Sequence, residues 1–75
     1  LKKLNQVEKA EEELRKRGFH QFRVRHHNEI CRIEIEPNEF EKLIHEREEI
    51  IKTFKDLGYK FITLDLYGYQ TGSSA

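Results

Sequence analysis

Residues 22–35, FRVRHHNEICRIEI, decide the fold. Phe22 and Val24 alternate with Arg23 and Arg25, and Ile33 and Ile35 alternate with Arg32 and Glu34. That period of two belongs to a pair of half-buried strands. Between them His27-Asn28-Glu29-Ile30 is tight enough for a hairpin, and Asn28 tolerates a positive φ. Pairing His27 with Ile30 sets Arg25 opposite Arg32, Arg23 opposite Glu34, Val24 opposite Ile33 and Phe22 opposite Ile35. Apolar then meets apolar on one side of the sheet and charge meets charge on the other. A slip of one residue would turn the apolar set outward, so the register specifies itself.

Helical periods flank the hairpin. Leu4, Val7, Ala10 and Leu14 recur between charged positions, predicting an amphipathic helix over Lys2–Lys16 that stops at Gly18 after a basic last turn. Pro37 suits the first turn of a second helix, whose buried side is Phe40, Leu43, Ile44, Ile50, Ile51, Phe54 and Leu57. The charged interruption His45–Glu49 predicts a bend or break in it. Gly58 closes this helix, and Ile62, Leu64 and Leu66 form the apolar face of a third strand. Gly18-Phe19 followed by Phe22 and Val24 is echoed by Gly58-Tyr59 followed by Ile62 and Leu64, at a constant offset of 40 residues.

The resulting order, α-β-β-α-β, describes an α+β two-layer sandwich. It is that of a ferredoxin-like split βαβ lacking its first strand, with a three-stranded sheet and both helices on one face. Residues 1–68 form a single domain and 69–75 a short C-terminal tail. The lack of an initiator Met points to a fragment of a longer chain.

Composition bounds the rest. In 75 residues, 36% hydrophobic and 37% charged, the core must be one thin layer. Fourteen basic and fourteen acidic side chains cancel, which argues against nucleic acid as the partner. The abundance of Glu, Lys and Arg would suit a heat-adapted protein. The single cysteine excludes an internal disulfide. No apolar run reaches membrane-spanning length and the N-terminus is a charged amphipathic segment, which together give a cytoplasmic expectation.

The sheet face away from the helices carries Arg23, Arg25, Arg32 and Glu34, joined from the third strand by Phe61, Thr63, Asp65 and Tyr67. One reading makes this the solvated side of the fold, with Arg23–Glu34 an ordinary cross-strand pair. The other makes it a ligand or docking face. Arg25 opposite Arg32 is a like-charge juxtaposition that demands an anion or a shared carboxylate, and arginines suit a bidentate grip on phosphate or carboxylate. Phe61, Asp65 and Tyr67 would form the docking part.

Other chemistry is poorly represented. His20, His26, His27 and His45 fall into no metal spacing, and His26 facing Cys31 across the hairpin supplies only two ligands. Alternation turns Cys31 into the core, where thiols are inert. The tail after Gly68 has neither the lysine nor the following helix of a P-loop.

Four segments together resemble one family: VEKAEEEL at 7–14, GFHQFRVRHH at 18–27, RIEI at 32–35 and LGYKFITLDLYGYQTGS at 57–73. They are similar to the C-terminal region of the ATP-dependent sacrificial sulfur transferases of the PP-loop superfamily, which mature the nickel-pincer nucleotide cofactor of lactate racemase. The resemblance implies a C-terminal domain that is not catalytic and binds no cofactor alone. It implies a partner N-terminal PP-loop domain using ATP and Mg²⁺, a nucleotide-like substrate and a homo-oligomer. It assigns Arg23 and Arg25 to an anion or substrate site, and Glu11 and Glu34 to an acidic site that could hold a metal ion; Arg32, from the charged face, and Ser73, from the tail, are expected to join the anion site. Gln70 stands where the family commonly has Arg, Asn28 replaces a hairpin glycine, and Cys31 replaces a small apolar residue. The competing reading, from a different class, is a free-standing ferredoxin-like binding or dimerisation module with no enzymatic activity.

Overall fold

The computed structural model describes residues 2–70, with side chains from residue 5 onward. Leu4 as a core position and Ser73 as an anion-site residue lie outside these described side chains. The order is α1 (Lys2–Lys16), β1 (Phe22–His27), β2 (Ile30–Ile35), a 3-10 turn (Pro37–Glu39), α2 (Phe40–His45), α3 (Arg47–Asp56) and β3 (Phe61–Leu64). A three-stranded mixed sheet in the order β1-β2-β3 carries the helices on one face, giving the two-layer α+β sandwich.

The hairpin register is that of the alternation. Phe22 lies opposite Ile35, Arg23 opposite Glu34, Val24 opposite Ile33, Arg25 opposite Arg32 and His27 opposite Ile30. Asn28 takes φ 57° in the turn, the left-handed conformation that asparagine tolerates best among residues with a side chain. β3 pairs with β2 directly and in parallel, from Ile30–Phe61 to Ile33–Leu64. The slot that a split βαβ keeps for an intervening strand is thereby closed.

The two halves of the internal echo end their helices identically. Phe19 N–H donates to Leu14 O (3.1 Å) and Gly18 N–H to Arg15 O (3.0 Å); Tyr59 N–H donates to Phe54 O (3.2 Å) and Gly58 N–H to Lys55 O (2.9 Å). Both are Schellman motifs, with the glycines at φ 92° and 111°. Each one delivers an aromatic ring, Phe19 or Tyr59, into the core. The same core contains Ala10, Leu14, Val24, Cys31, Ile33, Ile35, Leu43, Ile50 and Phe54, with Val7, Phe22, Phe40, Leu57, Ile62 and Leu64 packed around it. Each fully buried large side chain stabilises the fold by about 1.5–3 kcal/mol against chain entropy.

Three features depart from the sequence pattern. Pro37 opens a 3-10 turn rather than the helix itself, and the helix breaks at Glu46, whose φ −100° and ψ 18° interrupt the α geometry. The break resets the helical phase, so Leu43 and Ile50 point inward while Ile44 is 55% exposed instead of buried. β3 stops at Leu64, which takes Leu66 and Tyr67 out of the sheet; they are 78% and 84% exposed. A turn over residues 65–68 is closed by Gly68 N–H to Asp65 O (3.0 Å), after which Tyr69 N–H rejoins the sheet at Ile35 O (2.8 Å).

Gly68 makes that return possible. Its φ is 85°, and a Cβ there would lie 2.9 Å from Ile35 O and 3.2 Å from Pro37 Cδ. Neither neighbour is a flexible side-chain end. Gly68→Ala is therefore expected to cost roughly 1–3 kcal/mol, through the left-handed backbone and the close approach together. Urea unfolding checks this, with a lower midpoint at unchanged slope as the expected result.

Candidate functional site

The open sheet face is built by alternation: Arg23, Arg25, Arg32 and Glu34 of the hairpin lie on the side away from the core residues Val24, Ile33 and Ile35. Glu34 is its centre. Its side chain is 11% exposed, and Glu34 Oε2 accepts from Arg25 Nε (3.2 Å) and Arg32 Nη1 (3.0 Å). The carboxylate thus lies between the two like charges that the register sets opposite each other, and supplies the shared counter-ion that this juxtaposition requires. Although Arg23 is the residue directly across from Glu34, the carboxylate reaches diagonally to Arg25 and along its own strand to Arg32.

Arg32 is the most heavily engaged side chain of the face. Nη1 also donates to Asp65 Oδ2 (2.6 Å), and Nε donates to His27 Nε2 (3.3 Å). Asp65 follows β3 and is held by the main chain: its N–H donates to Ile33 O, and its Oδ1 accepts the Tyr67 N–H (2.9 Å). The Tyr67 amide, together with the Arg32 guanidinium, lowers the Asp65 pKa below the usual carboxylate value. Arg25 uses only Nε among the described residues, and Arg23 is exposed and makes no ion pair among them. Three guanidiniums against two carboxylates leave one excess positive charge on the face. Its free donors belong to Arg23 and to the terminal nitrogens of Arg25.

The remaining sequence-derived candidates sit elsewhere. Glu11, on α1, accepts the main-chain N–H of Val24 (2.9 Å) and so clasps the outer edge of β1. Glu34 faces the other way, between two cations, and the structure does not bring these carboxylates together. Among the described residues no group of three or more His, Cys, Asp or Glu side chains gathers as a metal site. Phe61 is 57% exposed at the start of β3. Tyr67 sits in the turn beyond the strand, so it borders the charged face rather than lying within it.

Cys31 and Tyr59 are core groups. Burial pushes the Cys31 thiol up to about 12, and burial, with Cys31 as neighbour, pushes the Tyr59 phenol up to about 12. Tyr59 OH meets His26 Nδ1 at 3.0 Å, so His26 turns to the phenol rather than acting with the thiol. A second polar cluster fixes the helix break. Burial works against the charge of Arg17, and hydrogen bonds with Glu49, Glu13 and Glu46 outweigh it, holding the guanidinium more firmly protonated than usual. Neither the Arg32–Asp65 pair nor the contacts of Arg17 with Glu46 and Glu49 are signalled by spacing, since each joins elements 29 to 33 residues apart.

The fold and this face define an α+β module bearing an arginine cluster organised by a carboxylate. No family model matches the chain. It is 37% identical over 67 residues to the pyridinium-3,5-bisthiocarboxylic acid mononucleotide synthase of Lactiplantibacillus plantarum, which covers 89% of this chain and 24% of that protein. It is 38% identical over 74 residues to an uncharacterized protein of Synechocystis, covering 96% and 28% of the two chains. With an uncharacterized protein of Methanocaldococcus jannaschii the identity is 39% over 71 residues, covering 95% and 28%. The chain therefore spans about a quarter of the length of the curated relatives it matches. No helix among the described residues is long and apolar enough to cross a membrane.

The depressed Asp65 pKa has a consequence for acid stability. Folded Asp65 releases its proton more readily than unfolded Asp65. Its stabilising contribution is thus complete above the unfolded value, about 3.9, and is lost as the pH falls through the lower folded value. Asp65→Asn should lower stability at neutral pH and approach the wild type in acid. Denaturant midpoints measured from pH 7 down to pH 2 check this through a difference that shrinks with acidification.

Proposed function

We propose that this chain is the C-terminal accessory domain of a PP-loop, ATP-dependent sulfur transferase, with Arg23 and Arg25 contributing an anion grip to the substrate site. Support comes from the identity that runs along 89% of the chain to a synthase named for a pyridinium thiocarboxylic acid mononucleotide. A ligand of that class carries phosphate and carboxylate groups, which guanidinium forks suit.

The single observation that carries the reading is the Glu34 clamp. It fixes Arg25 by Nε and leaves the terminal nitrogens of that guanidinium without an ion-pair partner among the described residues. Arg32 is already matched by Glu34 and Asp65, so in this reading it contributes by position and charge rather than by direct contact. Glu11 acts as the clasp of β1, and Ser73 lies outside the described residues. In this reading ATP and Mg²⁺ belong to a PP-loop domain of the same enzyme. The acid groups here hold arginines and main chain, and no step of the chemistry is assigned to this module alone.

Titration of the chain with AMP and with a pyridine mononucleotide, with and without Mg²⁺, tests the grip by NMR. The expected result is saturable shifts of the Arg23 and Arg25 side-chain Nε–Hε signals at millimolar ligand, abolished in Arg23→Ala and Arg25→Ala while the backbone spectrum keeps its dispersion. Ligand-independent spectra would remove the anion-binding role and leave the face as a surface that packs against protein.

A further inference from the structure

The histidines of this chain differ in what they face. His20 Nδ1 meets Glu39 Oε2 at 3.0 Å, and His26 Nδ1 meets the Tyr59 hydroxyl at 3.0 Å. The polar partner of His27 is instead a cation: Arg32 Nε donates to His27 Nε2 at 3.3 Å. A guanidinium has no lone pair to offer, so an imidazole in this contact is neutral, accepts through Nε2 and carries its proton on Nδ1.

His27 is the exposed last residue of β1 and continues the stripe of Arg23 and Arg25 along the open face. Alternate residues of a strand follow one another at steps of about 7 Å. Across the sheet from His27 stand Ile30 and then Phe61, neither of them charged. The charged groups around it are Arg32 on β2, Arg25 two residues back on β1, and Glu29 in the hairpin turn. Glu29 pairs with Lys60 at 3.6 Å, while Glu34 and, beyond β3, Asp65 are turned to the arginines. Among the described residues the histidine with a carboxylate partner is His20, not His27.

A proton on His27 Nε2 removes the acceptor that Arg32 Nε uses. Arg32 keeps its place, because Nη1 still donates to Glu34 and Asp65 at 3.0 and 2.6 Å. The imidazolium then presents two N–H donors beside Arg25 and adds a second positive charge to the one in excess on the face. A tetrahedral oxyanion against Arg23 and Arg25 is the counter-ion that this state lacks.

We infer that His27, as imidazolium, is the third donor of the anion grip, so that an oxyanion of the sulfate or phosphate type binds together with one proton. The proton comes from solvent and returns to it on release. Proton and anion each strengthen the binding of the other by the same factor. The inference rests on the arginine grip proposed above and adds to it a residue and a dependence on pH.

Sulfate titrations of the chain, followed by NMR at pH 7.5 and pH 5.5 and constant ionic strength, test it. Sulfate keeps its charge over that range, whereas an imidazole changes its own there. Binding is expected to be roughly fivefold tighter at the lower pH, with the His27 ring signals moving along with those of Arg23 and Arg25. His27→Gln keeps an acceptor for Arg32 and cannot become a cation. It should bind sulfate at both pH values as the wild type does at pH 7.5, while His20→Gln should retain the wild-type difference. Equal affinity at the two pH values overturns the inference and leaves the arginine grip standing. A difference that survives His27→Gln, or that His20→Gln removes as fully, does the same. No sulfate binding at either pH, with the Arg23 and Arg25 signals unmoved, overturns the grip and the role of His27 together.

Discussion

A carboxylate held between two guanidiniums governs the open face of this protein. The strand register forces Arg25 and Arg32 into apposition, because the same register puts Val24 on Ile33 and Phe22 on Ile35 in the core. The hydrophobic layer thus imposes an electrostatic cost on the opposite layer, and Glu34 offsets it by accepting from both arginines. Asp65 relieves Glu34 of part of that task by taking a second bond from Arg32. One consequence is that Arg25 and Arg32 are oriented rather than mobile, which is the condition for a low-entropy grip on an anion.

The rest of the fold holds that arrangement in place. Two Schellman motifs set Phe19 and Tyr59 under the sheet at corresponding points of the two halves. The Gly68 turn then brings the chain back to β2 just past Asp65, so the acid that pairs with Arg32 is fixed by main-chain bonds on both sides. Arg17 and its three glutamates hold the α2–α3 break against the end of α1.

The hairpin was legible in the sequence because a period of two admits one register when a single face is apolar, and Cys31, Val24, Ile33 and Ile35 are buried as that register requires. The glycine stops and the interruption near Glu46 were legible for a similar reason, since local backbone chemistry sets them. The end of β3 was not. Leu66 continues the alternation of Ile62 and Leu64, and only the Asp65–Gly68 turn, anchored on Ile35 and Pro37 from far along the chain, diverts it outward. Ile44 was misplaced because a broken helix loses the phase on which the pattern depends. On the site, alternation placed Arg23, Arg25, Arg32 and Glu34 on one face. The partner of each arginine depended on side-chain reach: Glu34 passes over its direct neighbour Arg23, and Glu11 serves the β1 edge.

The most direct measurement is a double-mutant cycle on folding stability, comparing Arg25→Ala in the wild type and in a Glu34→Gln background. If Glu34 holds the two arginines together, removing Arg25 destabilises the wild type but is neutral or stabilising without the carboxylate, because it then relieves repulsion from Arg32. An equal cost in both backgrounds would show that the arginines stand where they do independently of Glu34, and would contradict the account.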